Sequence, residues 1–264
     1  IFILKRRAAE KDYSAEMYKK AEKIMENMSE EQAETLAQNI IIETQAFVDG
    51  VVDSSGSRSK EKFPEYLERY AKIGREELRT NLVWFLNQVI PVAEEVGINM
   101  AIHPDDPPFS VLGLPRIFST LEDIEWLAKT NPSPRNGIAF CSGSFSSRRD
   151  NDISEIARRF AHRIRFAHLR NTNVLEDGGF YETGHIHGRV NMPELVGILL
   201  EEMQKRKKAG KENCRIPMRS DHGIKILNDF NLDGNPGYPL LGRLKGLAEI
   251  SGMEEAILAN LKLK

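Results

Sequence analysis

Four short apolar runs in the sequence each end in a side chain that can bind a metal ion. These candidate ligands are His103, Cys141, His168 and Asp221. In a parallel α/β barrel the functional residues lie at the carboxyl ends of the strands, so side chains that are distant in sequence meet at one face. If the four runs are strands of such a sheet, two imidazoles, a thiolate and a carboxylate could hold one divalent ion.

Each candidate also has an ordinary structural interpretation when it is taken alone. His103 could be a hydrogen-bonded histidine at a strand end, and Asp221 could pair with Arg219. Cys141 could be a small buried side chain or a nucleophile. Independent coincidences would seldom place ligand-capable side chains at successive strand ends, so the joint pattern favours a shared metal site.

The spacing of the candidates indicates which kind of metal site to expect. Structural zinc sites use closely spaced pairs such as C-x-x-C, whereas these residues lie far apart along the chain. A site assembled from strand ends favours catalysis over a structural role. One sulfur, two imidazoles and one carboxylate suit Fe(II), Mn(II), Co(II) or Zn(II) better than Mg(II) or Ca(II).

These positions require a parallel sheet, and the chain from residue 98 onward has the pattern for one. We predict strands at 98–103, 137–141, 163–169 and 214–219, each followed by a helix, near 120–130, 152–162, 192–208 and 240–261. Alternating strands and helices predict an α/β fold with a parallel sheet.

The residues before this alternation have a helical pattern. Ser14 is expected to cap one helix, and Ser29 with Gln32 to form a capping box at the start of the next. A loop is predicted over 49–62, and the apolar spacing of 65–97 predicts two helices that break near Gly74. We therefore predict a single domain over 1–264, with a helical insertion at 12–75.

Composition argues against two classes of partner. Thirty-seven Lys and Arg residues against 39 Asp and Glu residues give a net charge of -2, which provides no basic field for nucleic acid or an anionic membrane. The basic run 205–208 is expected to be the solvated end of a helix.

The cysteine content indicates the compartment. The chain has two cysteines, Cys141 and Cys214, which are too few for a disulfide framework, so we expect a reducing, cytoplasmic location. We expect Cys214 to lie in the core.

Five motifs follow one another along nearly the whole chain. They are Ala101–Pro108, Phe140–Ser144, Phe166–Asn171, Arg219–Gly223, and Asn235–Tyr238 together with Gly242–Leu247. Together they resemble the mannonate dehydratases of hexuronate degradation. The resemblance implies a TIM (β/α)8 barrel that dehydrates D-mannonate to 2-keto-3-deoxy-D-gluconate and water with Fe(II) or Mn(II).

The resemblance also implies roles for individual residues. His103, Cys141, His168 and Asp221 match the metal ligands of the family, and His222 and Tyr238 match its catalytic pair. The reaction removes a proton from C2 and hydroxide from C3, which requires a base and an acid. The sequence leaves open which member of the pair does which.

Further polar residues near the ligands are candidates for binding the substrate. They are Asp105, Arg170, Asn171, His185 and Arg219. Arginine is suited to bidentate binding of a carboxylate, and the other side chains could bind hydroxyl groups. The role of His187, close to His185, is left open.

Two other functions and two structural expectations accompany this hypothesis. A metal-dependent sugar isomerase or epimerase on the same barrel would use similar ligands, and a non-catalytic protein could bind a sugar acid without turnover. About half of the strands of an eight-stranded barrel are visible, so we expect N-terminal strands in a longer polypeptide. We also expect a homo-oligomer, a dimer.

Overall fold

The computed structural model describes residues 1–3, 9–40, 63–234 and 237–262. They form two compact units, one made of Ile1–Leu78 and Ser110–Pro115, the other of Arg79–Phe109 and Arg116–Lys264. The loop predicted over 49–62 lies outside the described residues. Within the described part of the chain, no helix is long and apolar enough to cross a membrane.

The first unit contains helices, and the two with predicted capping residues begin where those residues predict. Helix α1 spans Ala15–Met25, α2 spans Glu30–Gln38, α3 spans Phe63–Arg69, and α4, Arg75–Glu95, begins here. The side chain of Ser14 caps α1, and Ser29 and Gln32 form both bonds of the predicted capping box, at 3.2 and 2.9 Å. A small core joins Ala37, Phe63 and Leu67 with Ile3, Leu112 and Leu114. The insertion at 12–75 stays a prediction.

The second unit contains the parallel sheet that the alternating pattern predicts. Strands β1 (Met100–Ile102), β2 (Asn136–Cys141), β3 (Ile164–His168) and β6 (Met218–Arg219) lie in the order β1-β2-β3-β6, and every neighbouring pair is parallel. The strand predicted at 214–219 is shorter than expected. Two further strands, β4 (Thr172–Val174) and β5 (Phe180–Glu182), form an antiparallel hairpin that was not predicted.

Helices precede, connect and follow the strands and pack around the core. They are α4, α5 (Leu121–Thr130), α6 (Ser142–Ser146), α7 (Ile153–Phe160), α8 (Met192–Lys208) and α9 (Leu240–Lys262). Helix α8 packs against both α7 and α9. Its Leu195 and Leu199 belong to the same fully buried cluster as Ile138 and Phe140 of β2 and Ile164 of β3. Burial of this surface holds the strand ends at fixed positions.

One residue of the basic run in α8 is not solvated as expected. The Arg206 side chain is 3% exposed and its Nε donates to Glu202 Oε1 at 2.8 Å. Its Nη2 donates to the carbonyl oxygens of Ala161 and Ile164, at 2.8 and 2.9 Å. Arg206 lies on the side of α8 that faces the sheet, and its side chain therefore joins α8 to the start of β3.

Arg206→Ala is expected to lower the free energy of unfolding by about 3–5 kcal/mol, since it leaves a buried carboxylate and two carbonyl groups without their donor. Urea denaturation followed by circular dichroism measures the change. Lys207→Ala, at an exposed position of the same helix, should alter stability by about 0.5 kcal/mol or less. Equal stabilities of the two variants would contradict the structural role of Arg206.

Candidate functional site

The carboxyl ends of the parallel strands bring three of the predicted ligands together. His103 directly follows β1, Cys141 ends β2 and His168 ends β3, with Cys141 paired to His168 in the register of the sheet. One ligand atom from each of these residues lies within 4.8 Å of the others. Parallel strands end at a common edge, so residues far apart in sequence meet there.

Hydrogen bonds orient these donor atoms. His103 Nδ1 lies 2.7 Å from the carbonyl oxygen of Pro104 and donates to it, which leaves the lone pair on Nε2. This Nε2 faces His168 Nδ1 at 3.2 Å. Cys141 Sγ, fully buried, accepts from the backbone N–H of Ser144 at 3.4 Å. Two imidazole nitrogens and a sulfur that converge in this way fit a divalent transition metal.

Asp221 lies beside this cluster without joining it as closely. Its Oδ2 is 3.5 Å from His168 Nδ1, and its Oδ1 is 3.0 Å from the guanidinium of Arg219. The backbone of Asp221 has φ 55°, in the left-handed region that few non-glycine residues adopt. Ligation by Asp221 stays a prediction, although its carboxylate is buried next to a candidate ligand.

The predicted catalytic pair is in direct contact. His222 Nε2 and the Tyr238 hydroxyl are 3.0 Å apart, and their ring centroids are 4.6 Å apart. Burial and the negative charge of Asp221 raise the pKa of Tyr238. Gly237 has φ 83°, which residues with a side chain rarely adopt, and a Cβ there would lie 3.0 Å from His222 Nδ1, so glycine favours this close approach of the backbone.

Glu182, at the end of β5, is a site residue that the sequence interpretation missed. Its Oε1 accepts from His222 Nδ1 at 2.9 Å. Arg170 Nε donates to both Glu182 oxygens, at 2.9 and 3.0 Å, and Arg170 is also paired with Asp106. The only sequence signal was its place in the long polar segment after β3, a feature that it shares with many loop residues.

The charges of this network support one another. Burial alone would lower the pKa of Arg170, but the carboxylates of Asp106 and Glu182 more than offset that effect and the pKa is raised. Burial alone would raise the pKa of Glu182, but hydrogen bonds from His222 and Arg170 outweigh it and the pKa is lowered. Glu182 is therefore an ionised carboxylate beside His222.

Three of the predicted substrate-binding residues are engaged within the protein. Asp105 Oδ2 accepts from the backbone N–H groups of Ile117 and Phe118, both at 2.7 Å, and from the Ser119 hydroxyl at 3.1 Å. Asn171 is buried and donates to the carbonyl oxygens of His185 and Val190. The ring of His185 is also buried, with Nε2 2.7 Å from the carbonyl oxygen of Ser220.

The two predicted arginines differ in what they leave open to a substrate. The Arg170 side chain is 3% exposed and is held by carboxylates, whereas that of Arg219 is 40% exposed and contacts Asp221. His187 is exposed. Contact of Arg170 or Arg219 with a substrate stays a prediction, and Arg219 is the one of the two whose side chain is partly exposed next to the cluster.

Together these features define a parallel α/β protein with a candidate metal centre and a histidine–tyrosine pair at the carboxyl edge of its sheet. The sequence model of the D-mannonate dehydratase (UxuA) family matches residues 7–264. The chain belongs to this family.

Individual relatives agree with the family assignment. The chain is 44% identical over 262 residues to a mannonate dehydratase of Marinomonas sp., covering 99% of this chain and 65% of that protein. It is 42% identical over 258 residues to one from Saccharophagus degradans, covering 97% and 63%. The chain thus spans less than two thirds of these curated relatives.

One solved mannonate dehydratase structure is also similar to this chain. The crystal structure of mannonate dehydratase from Streptococcus suis serotype 2 is similar with a TM-score of 0.66 and 34% identity, over 74% of this chain and 54% of that one.

Proposed function

We propose that the whole protein dehydrates D-mannonate to 2-keto-3-deoxy-D-gluconate and water. The observation that carries the proposal is the cluster of His103, Cys141 and His168 beside the contact between His222 and Tyr238, in a chain of the D-mannonate dehydratase family. The names of the curated relatives support the same activity.

The proposed cofactor is Fe(II) or Mn(II), held by His103, Cys141, His168 and Asp221. The mixed nitrogen, sulfur and oxygen donors favour such an ion over Mg(II) or Ca(II). When bound, a divalent ion at this position would stabilise the negative charge that the sugar acid acquires as C2 loses its proton.

The side chains of the chain itself supply the proton transfers and the orientation. His222 and Tyr238, 3.0 Å apart, provide one group to accept the C2 proton and one to protonate the departing C3 hydroxyl. The partly exposed guanidinium of Arg219 is suited to bind the carboxylate of the sugar acid. Proton transfer and carboxylate binding would then take place at the same edge of the sheet, which is where we place the substrate.

We further propose that the sheet belongs to a TIM (β/α)8 barrel. Four parallel strands joined by helices, and the similarity to the solved mannonate dehydratase, support this proposal. The dimer and the cytoplasmic location stay predictions from the sequence.

The decisive experiment incubates the full chain with D-mannonate and Mn(II) or Fe(II) and follows the product by proton NMR. Dehydration creates a CH2 group at C3, which gives new resonances that an isomerised or epimerised sugar acid lacks. Formation of the keto-deoxy acid is the expected result. A new sugar acid without that CH2 group would indicate the isomerase or epimerase, and binding without any product would indicate a non-catalytic protein.

A further inference from the structure

The hairpin β4–β5 places a carboxylate behind the proposed catalytic histidine. Glu182 is the last residue of β5, and the N–H of the next residue, Thr183, donates to the carbonyl oxygen of Asn171 at 3.0 Å. This bond fixes the end of the hairpin against the segment that follows β3. Glu182 Oε1 then lies 2.9 Å from His222 Nδ1, on the opposite side of the imidazole from Tyr238.

The position of this carboxylate is fixed from its other side by Arg170. Both Glu182 oxygens accept from Arg170 Nε, and the guanidinium is held in turn by Asp106. The absence of a side chain at Gly143 in α6 leaves room for Arg170, because a Cβ at residue 143 would be 2.3 Å from the Arg170 side chain. Glu182 is thus a charged acceptor with little freedom to turn away.

A carboxylate held in this way determines which nitrogen of a neutral imidazole carries the proton. An ionised carboxylate can only accept, so His222 Nδ1 must donate to it, and the lone pair of the ring is then on Nε2. That nitrogen faces the Tyr238 hydroxyl at 3.0 Å and can accept its proton.

We propose that Glu182 is a positioning residue, which holds His222 in the Nδ1-protonated tautomer and so presents a basic Nε2 to Tyr238 and the substrate. The proposal deepens the proposed dehydratase function and rests on it. Glu182 acts through His222 and does not itself touch the reacting atoms.

The first test is Glu182→Gln, measured on the full chain with Mn(II). Glutamine keeps the size of the side chain, but its NH2 group can donate to Nδ1 and so place the proton on Nε2. We expect kcat to fall about 10²-fold or more with KM and metal content unchanged, within the range for loss of a general acid or base. Glu176→Gln, at an exposed position of the same hairpin, is the matched control and should retain wild-type kinetics.

A second measurement separates positioning from a purely structural role. In a His222→Gln background, Glu182→Gln should cause no further loss of kcat, because the residue through which it acts is already gone. The proposal would be overturned if Glu182→Gln lowered kcat further in the His222→Gln background. It would also be overturned if Glu182→Gln alone kept the wild-type kcat or lost the metal.

A third measurement does not depend on activity. Nitrogen-15 NMR of histidine-labelled protein, loaded with diamagnetic Zn(II), reports which nitrogen of His222 is protonated. The expected result is protonation of Nδ1 in the wild type and of Nε2 in Glu182→Gln, and the same tautomer in both proteins would overturn the proposal. If the wild type forms no keto-deoxy acid, the proposed function fails while this measurement still decides the role of Glu182.

Discussion

His222→Gln and Tyr238→Phe are each expected to lower turnover of D-mannonate by about 10²- to 10⁴-fold while metal content and substrate binding are retained. His222 Nε2 and the Tyr238 hydroxyl contact each other beside the candidate ligands, so each substitution removes a proton carrier without removing a member of the His103, Cys141 and His168 cluster. Turnover, KM and bound metal should be measured on the same samples.

Two exposed residues provide controls for these substitutions. His187→Gln and Tyr181→Phe change the same chemical groups at exposed positions and should leave turnover near that of the wild type. Loss of the metal from His222→Gln would mean that His222 is a ligand. Near-normal rates in both site variants would move the proton transfers to other groups.

Cys141→Ser is expected to lower metal content and activity together, each by about 10- to 100-fold or more. Losses of that size follow even when a residue that only supports the ligands of a metal site is changed. The buried Cys141 sulfur lies among His103 and His168, and a hydroxyl is a poorer ligand than a thiolate for Fe(II) or Mn(II). Elemental analysis of the purified protein and turnover with and without added metal measure the effect.

The second cysteine is the natural control for this prediction. Cys214 is partly exposed, which corrects its predicted place in the core, and Cys214→Ser should retain both metal and activity. A chelator should abolish activity in the wild type, and added Mn(II) or Fe(II) should restore it. Unchanged metal content in Cys141→Ser would remove Cys141 from the site.

Much of the fold is predictable because its signals are local. The capping box of Ser29 and Gln32 depends on two side chains three positions apart, and helix α8 occupies the predicted residues 192–208. The strands that end at Cys141 and His168 contain buried apolar residues and have clear ends. The hairpin β4–β5 escaped prediction because its three-residue strands are too short to give a period.

The site was predictable where residue type and strand position agree, as in the cluster of His103, Cys141 and His168. Residue type alone does not reveal which atoms are already bonded, and Asn171 illustrates this, since its buried amide is occupied by carbonyl groups. Glu182 was missed because its residue type and its place in a polar segment do not reveal its contacts. Its importance comes from contacts with Arg170 and His222, which depend on the folding of the segment between them.

The ion pairs that link Asp106, Arg170 and Glu182 also restrict how this sequence can diverge. Arg170 is a buried cation between two carboxylates, so replacing it removes the positive charge that compensates both. Replacing either carboxylate leaves the buried guanidinium less well compensated. Arg170 is buried, whereas the side chains of Asp106 and Glu182 are 28% and 22% exposed. Breaking one of these pairs therefore costs less than the about 3–5 kcal/mol of a fully buried pair, but still a notable share of the about 5–15 kcal/mol that typically stabilises a folded protein. Substitutions at these three positions should therefore be strongly epistatic, tolerated in combination and selected against one at a time.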